Sequence, residues 1–582
     1  MNGLYYPKGI NLNKPTDLYC LGVKALGICT HDLSNPSLSF FSIGQLATVV
    51  ALILTFSQLT KPIVRFRLAT RYFPQWFPWI GIGITISCVF GAAILRIDEI
   101  QNVPVIGYPI FWEFIAGACF VWAGTVMILR VSRKSYLSKR NAERFLENSQ
   151  SIIARGNIDD LRDYGDEIYV SISIAIKACN THQTRALDAL HQNPDPTDFE
   201  RICYTLLDLW ADKQLCRTLV TRCPQTAIEI LSKVQTMKLY ESGAYALIHE
   251  LINQAFSNPD SILHREGDYS GLGRFKPFMT MAFGNWEFVT SHLRPLQAWR
   301  AHEQDRISST QARRFGDAIE IALRSAIEEN RMQAFYAALS SALCLVNDIA
   351  RRAAWAITRI PEGELSQSEW SQVLNECGHV HCKVIKTITS LPAEQQPSVQ
   401  VANIDPKEYD PNADHSIYAA VAKNAYEYLE SLAMCKGHDD SIRLDAIFLW
   451  EEIFPDQETA MSHALSAVRQ RFIFTLRRKI DQNLDIEHWF YPVVTRVLVA
   501  MWGIPNCSGE VMPLSANSHN KDTSDLYVYM YTKMMNNFVA LRRKSIEYTN
   551  DLLPNGVEFV EKPPSLRQHW FRGKTTIFSL ID

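Results

Sequence analysis

At 582 residues the chain has room for several domains of about 100–200 residues each. Its 58 basic and 61 acidic residues nearly balance, which argues against a dedicated nucleic-acid binder with its usual basic excess. Thirteen scattered cysteines lack the dense, even spacing of a disulfide scaffold.

Residues 1–40, with Pro7, Pro15 and Pro36 and little periodicity, read as an external N-terminal tail. They lack the basic start and clean apolar core of a signal peptide, so the first apolar run is expected to act as an uncleaved signal-anchor. Leu18–Cys29 is mildly apolar but too short to span a bilayer, which predicts an interfacial helix. Cys20 and Cys29 are either joined by a disulfide or remain two thiols on an amphipathic surface segment.

Residues 41–131 hold three apolar runs, Ser42–Leu59, Trp76–Leu95 and Phe111–Leu129. Each is close to the roughly 20 residues that a helix needs to cross the hydrocarbon, and the only charge among them is Glu113, near the start of the third. We read them as three transmembrane spans. Lys61, Arg65, Arg67 and Arg71 separate the first two, and Arg130, Arg133, Lys134, Lys139, Arg140 and Arg144 follow the third. The connection between the second and third holds only Arg96, beside Asp98 and Glu99. Basic residues are retained on the cytoplasmic side, which predicts an external N-terminus and a cytoplasmic chain after Leu129, although Lys8, Lys14 and Lys24 oppose export of the tail.

Within the second span Gly83, Ser87 and Gly91 recur at four-residue spacing, with Gly81 and Ala92 alongside. Small residues on one helical face let another helix approach, either inside the three-span bundle or in a homo-oligomer. Trp76, Trp79, Tyr108 and Trp112 mark headgroup-level span ends. Glu113 lies within a turn of the external end and is expected to reach water, with a place in an ion pathway as the alternative.

Beyond residue 132 the pattern is helical almost throughout. Helices are predicted at Asn141–Arg155, Ile168–His191, Phe199–Leu219, Gln225–Lys238 and Tyr240–Phe256. Residues 258–278, with three glycines and two prolines, read as the longest non-helical interruption in the first cytoplasmic region. Helices resume at Trp286–Glu303, Thr310–Glu329, Met332–Ile360 (strongly apolar, including Trp355, and expected to be buried) and Ser366–Ile388. The proline-rich stretch 392–415 reads as a linker that ends a cytoplasmic domain spanning 132–391. The second region, 416–582, shows helices at Ser416–Met434, Ser441–Ile453, Gln457–Gln482, His488–Trp502 and Leu526–Tyr548, then an extended tail. Gly556–Val560 is the best strand candidate. The fold class is therefore mainly α: a three-span anchor followed by a large all-α bundle or an irregular α-solenoid without a fixed repeat.

Three clusters offer chemistry. Cys377, His379, His381 and Cys382 are zinc-ligand types, but four ligands within six residues do not readily surround one ion, and buried thiols with hydrogen-bonded imidazoles are the expected outcome. His438-Asp439-Asp440 resembles the histidine–aspartate doublet of helical metal phosphohydrolases, yet without their longer apolar context, and it reads better as a helix start capped by Asp. The loop around Arg265, Glu266, Asp268, Arg274 and Lys276 is the best ligand- or partner-binding candidate. Its glycines let backbone amides face a ligand, and Arg274 with Lys276 could hold phosphate, although the Gly-Lys-Ser/Thr ending of a P-loop is missing. A structural loop closing onto the helical core is the simpler reading of the same residues.

Basic residues at Arg469–Arg471, Arg477–Lys479 and Arg542–Lys544 are expected on solvated helix faces, within reach of anionic headgroups. Taken together these features predict a non-enzymatic, bilayer-anchored scaffold or sensor that binds a cytoplasmic protein partner or a ligand, with no cofactor, no metal and no nucleic acid. An oligomerising membrane effector and a membrane-tethered metal-dependent hydrolase are the alternatives.

Overall fold

A computed structural model describes residues 61–70, 76–94, 109–188, 195–238, 244–268, 276–360, 368–390, 409–435, 448–455 and 462–482. It also describes the short strands at 19–20, 29–30, 559–560, 570–572 and 575–577. These residues are mainly helical, and the chain divides into two compact units, Met1–Ser171 and Ile172–Asp582.

In the first unit two strands, β1 (Tyr19–Cys20) and β2 (Cys29–Thr30), pair antiparallel, so the ends of the expected interfacial helix are extended instead. Four helices follow: α1 (Pro62–Thr70), α2 (Trp76–Ile94), α3 (Pro109–Ser132) and α4 (Ala142–Arg155). A fifth, α5 (Ile158–Asp188), begins ten residues before the predicted Ile168 and contains the division between the units. The second and third apolar runs are thus the helices α2 and α3. Among the described residues, however, no helix is long and apolar enough to cross a membrane. The first run, Ser42–Leu59, lies outside the described residues.

Local chemistry accounts for the boundaries of α4. It ends at Gly156, whose φ of 64° is left-handed and lets its N–H reach the Ile153 carbonyl. Phe66 of α1 packs edge-on against Phe145 of α4 at 5.0 Å and Tyr164 of α5 at 5.3 Å, and all three rings are buried.

The second unit runs through α6 (Asp198–Trp210), α7 (Lys213–Arg222), α8 (Pro224–Thr236) and α9 (Tyr245–Ser257). The single helix predicted over Phe199–Leu219 is broken after Trp210, because the Asp212 carboxylate accepts the Gln214 and Leu215 N–H groups and starts a new helix. Thr197 and Glu200 form a capping box on α6. Leu247–Phe256 of α9 is buried on every face, the position of a central helix in a bundle. Its polar residues find partners: His249 Nε2 lies 2.7 Å from the Leu293 carbonyl, and the Asn253 side chain accepts the Arg300 N–H at 3.0 Å. Phe256 stacks on Trp299 at 5.2 Å and meets Phe315 edge-on at 5.5 Å.

Two short helices, α10 (Ile262–Asp268) and α11 (Pro277–Phe283), occupy much of the stretch expected to be irregular. Conversely, the predicted helix Trp286–Glu303 is only α12 (Trp286–Thr290) and two 3₁₀ turns, since Pro295 supplies no N–H and Arg294 turns left-handed before it. The longer helices α13 (Ser309–Glu328), α14 (Met332–Ile357), α15 (Glu369–Thr389), α16 (Ile417–Met434) and α17 (His463–Gln482) agree closely with the sequence reading. Trp355 departs from it: 60% exposed, it carries Arg359 on its ring at 3.4 Å. Near the C-terminus β3 (Phe559–Val560) falls on the strand candidate and pairs with β5 (Thr575–Ile577), which also pairs with β4 (Trp570–Arg572).

Candidate functional site

Three places gather the residues that carry chemistry, one formed by the α2–α3 hairpin, one beside it in the first unit, and one in the second unit. In the hairpin the helices run antiparallel. A Cβ at Gly81 would lie 3.0 Å from Ala123, Thr85 Oγ1 lies 3.3 Å from the Ala116 carbonyl, and Gly91 faces Trp112. The inward face is Gly81, Thr85, Cys88 and Ala92 against Glu113, Ala116 and Ala123. Glu113, expected to reach water, is buried at 2% exposure. Gly83 meets open space and Ser87 is exposed, its hydroxyl donating to the Gly83 carbonyl at 2.9 Å. Any approach of residues 42–59 to that stripe lies outside the described residues. The outer face is apolar: on α3, Phe114, Val121 and Ile128 recur every seven residues at 75%, 67% and 69% exposure. On α2, Ile84, Phe90 and Ile94 are likewise exposed. In water each such side chain forgoes about 1.5–3 kcal/mol of burial.

Beside the hairpin a buried polar clasp ties α1 to the segment after α3 and to α5. Arg67 donates from Nε and Nη2 to Glu167 Oε2 at 3.0 and 2.8 Å, and the other Glu167 oxygen accepts the Ser135 N–H. The Thr70 hydroxyl donates to the Phe66 carbonyl at 2.7 Å, so it accepts from Ser135 Oγ at 2.6 Å. Asn141 Nδ2 donates to the Thr70 carbonyl at 2.8 Å, and Ser171 Oγ accepts the Leu137 N–H at 3.0 Å. Sequence reasoning counted Arg67 only as a basic flank. Its partner lies 100 residues away, and no local pattern announces it.

In the second unit Asp317 of α13 is surrounded by cations. Its Oδ2 accepts Lys276 Nζ at 3.0 Å and Arg314 Nη1 at 3.3 Å, and its Oδ1 accepts Lys383 Nζ of α15 at 2.8 Å. Burial works against its charge, yet Lys383 and Lys276 hold its carboxyl below the ordinary carboxylate range. Glu266 caps α11, accepting the Phe278 N–H at 2.7 Å and the Met279 N–H at 3.2 Å. Burial there outweighs those bonds and the nearby Lys276 and Arg314, and pushes its pKa up.

Of the five loop residues singled out in the sequence, Glu266 and Lys276 are thus drawn into a charged clasp on the helical core. Arg265 stands apart on the surface and donates to the Thr221 carbonyl at 2.8 Å. Asp268 ends α10, and Arg274 lies outside the described residues.

The Cys377–Cys382 cluster spreads around α15 rather than converging. Cys377 and Cys382 are buried, whereas His379 is exposed beside Glu376 at 3.8 Å. His381 is buried with Nε2 3.0 Å from Asn347 Oδ1. Asn347 Nδ2 donates to Asn424 and Glu427, so its Oδ1 is the acceptor and His381 carries its proton on Nε2. His381 Nδ1 has no hydrogen-bond partner among the described residues, and burial lowers the pKa of the ring to about 3. Among the described residues no group of three His, Cys, Asp or Glu side chains could hold a metal ion. His438, Asp439 and Asp440 lie outside them, as do Arg542–Lys544.

The basic residues of α17 are not a solvated face. Arg471 is buried and bonds Asp414 at 2.7 Å, Arg469 is buried, and Arg478 reaches Asp410 at 2.7 Å. They pin the end of the expected linker onto α17. The chain matches no family model, no curated protein and no solved structure.

Proposed function

We propose that the protein is a membrane-anchored helical scaffold or sensor, non-enzymatic, that recruits a protein partner through the surface around α10. The outward apolar face of the α2–α3 hairpin carries this reading, because a bilayer covers such a face and water does not. The expected spans, external N-terminus and cytoplasmic second unit belong to the same reading, supported by the basic flanks. Arg265, with Asp268 and Arg274 in the adjoining sequence, is the surface offered to the partner, while Glu266 and Lys276 hold that surface to the core. Extraction of native membranes with alkaline carbonate tests the anchor: the protein stays in the pellet, and release into the supernatant would sink the reading. For the partner surface, Arg265→Ala with Arg274→Ala should leave the melting temperature within about a degree while copurifying protein is lost; unchanged copurification rejects that surface.

A second reading, an oligomerising membrane effector, is favoured by the open Gly83–Ser87 stripe on α2. Ser87→Cys should then cross-link in a dimer in membranes and Thr85→Cys should not; absence of any cross-link speaks for the monomeric scaffold.

A further inference from the structure

The N-terminal strands bring together two groups that neither the anchor nor the charged clusters use. In the β1–β2 pair Tyr19 stands opposite Thr30 and Cys20 opposite Cys29. Directly opposed residues of an antiparallel ladder lie about 4.5–5.5 Å apart between Cα atoms and belong to the same face of the sheet. A disulfide requires about 4.4–6.8 Å between Cα atoms. The register therefore meets that requirement without backbone movement, whereas a slip of one residue would place the two cysteines on opposite faces. A ladder of two residues per strand is also too short to hold in water by itself. A covalent tie at its inner end supplies what the hydrogen bonds cannot.

We propose that Cys20 and Cys29 are a disulfide pair. Among the ten cysteines described with their side chains, from Cys88 to Cys435, none is joined in a disulfide, and eight are buried. Burial pushes the Cys179, Cys203, Cys216, Cys377 and Cys435 thiols up, away from the reactive thiolate. The bond forms by exchange with a thiol–disulfide oxidoreductase in its disulfide form. One cysteine loses its proton to water and its thiolate attacks the oxidoreductase disulfide, giving a mixed disulfide and expelling one sulfur as thiolate. The second cysteine, deprotonated in turn, displaces the oxidoreductase. Two cysteine thiols are oxidised with loss of two protons and two electrons, and the oxidoreductase disulfide is reduced to a dithiol. The proposal goes beyond the anchored-scaffold reading and shares with it the external placement of the N-terminus, since such bonds persist in oxidising compartments.

The test uses the full-length protein in detergent, equilibrated with oxidised glutathione, alkylated and digested without reduction. The expected product is one peptide pair joining Cys20 to Cys29 within a chain, resistant to alkylation until dithiothreitol is added. In Cys20→Ser that pair disappears and Cys29 no longer resists alkylation after the added glutathione is reduced. Two freely alkylated thiols, or bridges from these residues to other cysteines or to a second chain, overturn the proposal. The same mapping on acid-quenched cells separates the two readings. A bridge found there supports both. A bridge that forms in the purified protein but is missing in cells supports the pair and overturns the external placement.

Discussion

Asp317 is where Lys276 and Lys383, distant in sequence, meet Arg314 of the same helix, and its removal is not equivalent to the loss of any one of them. Asp317→Ala would remove the carboxylate that Lys276, Arg314 and Lys383 share, and is expected to cost about 3–5 kcal/mol. Lys276→Ala leaves Asp317 with two partners and, at a partly exposed pair, is expected to cost about 1 kcal/mol or less. Urea denaturation of the full-length variants checks the ratio, and equal costs would show that Lys276 alone holds the cluster. The two lysine pairs were not legible in the sequence, because they are 41 and 66 residues apart and Lys383 adjoins a stretch that draws the eye to cysteine and histidine. His381 was legible as a residue type but not in its role. Its pKa is about 3 in the fold against 6.5 for the free side chain, so the fold favours the neutral ring. The stability it supports is complete above about pH 6.5 and falls by up to about 1.4 kcal/mol per unit as the pH drops from 6.5 toward 3. Denaturation midpoints at pH 6.5 and 4.5 should therefore diverge by an amount that His381→Gln removes; an unchanged slope in that variant would place the pH sensitivity elsewhere.

At the scale of elements, the long amphipathic helices were readable because burial of one face imposes the 3.6-residue period, as in α4, α13, α14 and α16. The breaks were not. Asp212 starts a new helix within a continuous apolar pattern, and α10 forms through glycine- and charge-rich sequence because its Leu263 and His264 are buried against the core. The hairpin shows the same division. The small-residue stripe on α2 was visible, but which of two neighbouring stripes meets α3 depends on helix rotation, which spacing alone does not fix. A Cβ at Gly81 would press on Ala123 and on Trp122 at 3.2 Å, whereas one at Gly83 would meet nothing. Gly81→Val is accordingly expected to destabilise the full-length protein by about 1–3 kcal/mol, and Gly83→Val to stay within about 0.5 kcal/mol. Thermal melts in detergent compare the two; a larger effect at Gly83 would mean that another helix occupies the open stripe.

For the whole molecule, composition and basic flanks argued for an anchor followed by a helical remainder, and they placed the boundary at residue 132. The first compact unit extends to Ser171, and the chain after α3 returns to pack on α1. Phe145 and Tyr164 close over Phe66, and Glu167 takes its charge partner from Arg67, which precedes both hairpin helices. Such a boundary depends on long-range pairing and leaves no mark in local composition. It changes where the protein can be cut. A fragment of residues 133–582 keeps Glu167 without Arg67 and exposes the two rings that covered Phe66, a loss of several kcal/mol from the unpaired buried charge alone. A fragment of residues 172–582 carries neither defect. The shorter fragment is therefore expected to be monodisperse by size-exclusion chromatography and to melt cooperatively by circular dichroism. The longer one should aggregate or melt about 5 °C or more lower, and Glu167→Gln should narrow the gap by removing the stranded charge. A longer fragment that equals the shorter one in both measurements would show that the clasp is dispensable and that the helical remainder begins directly after α3.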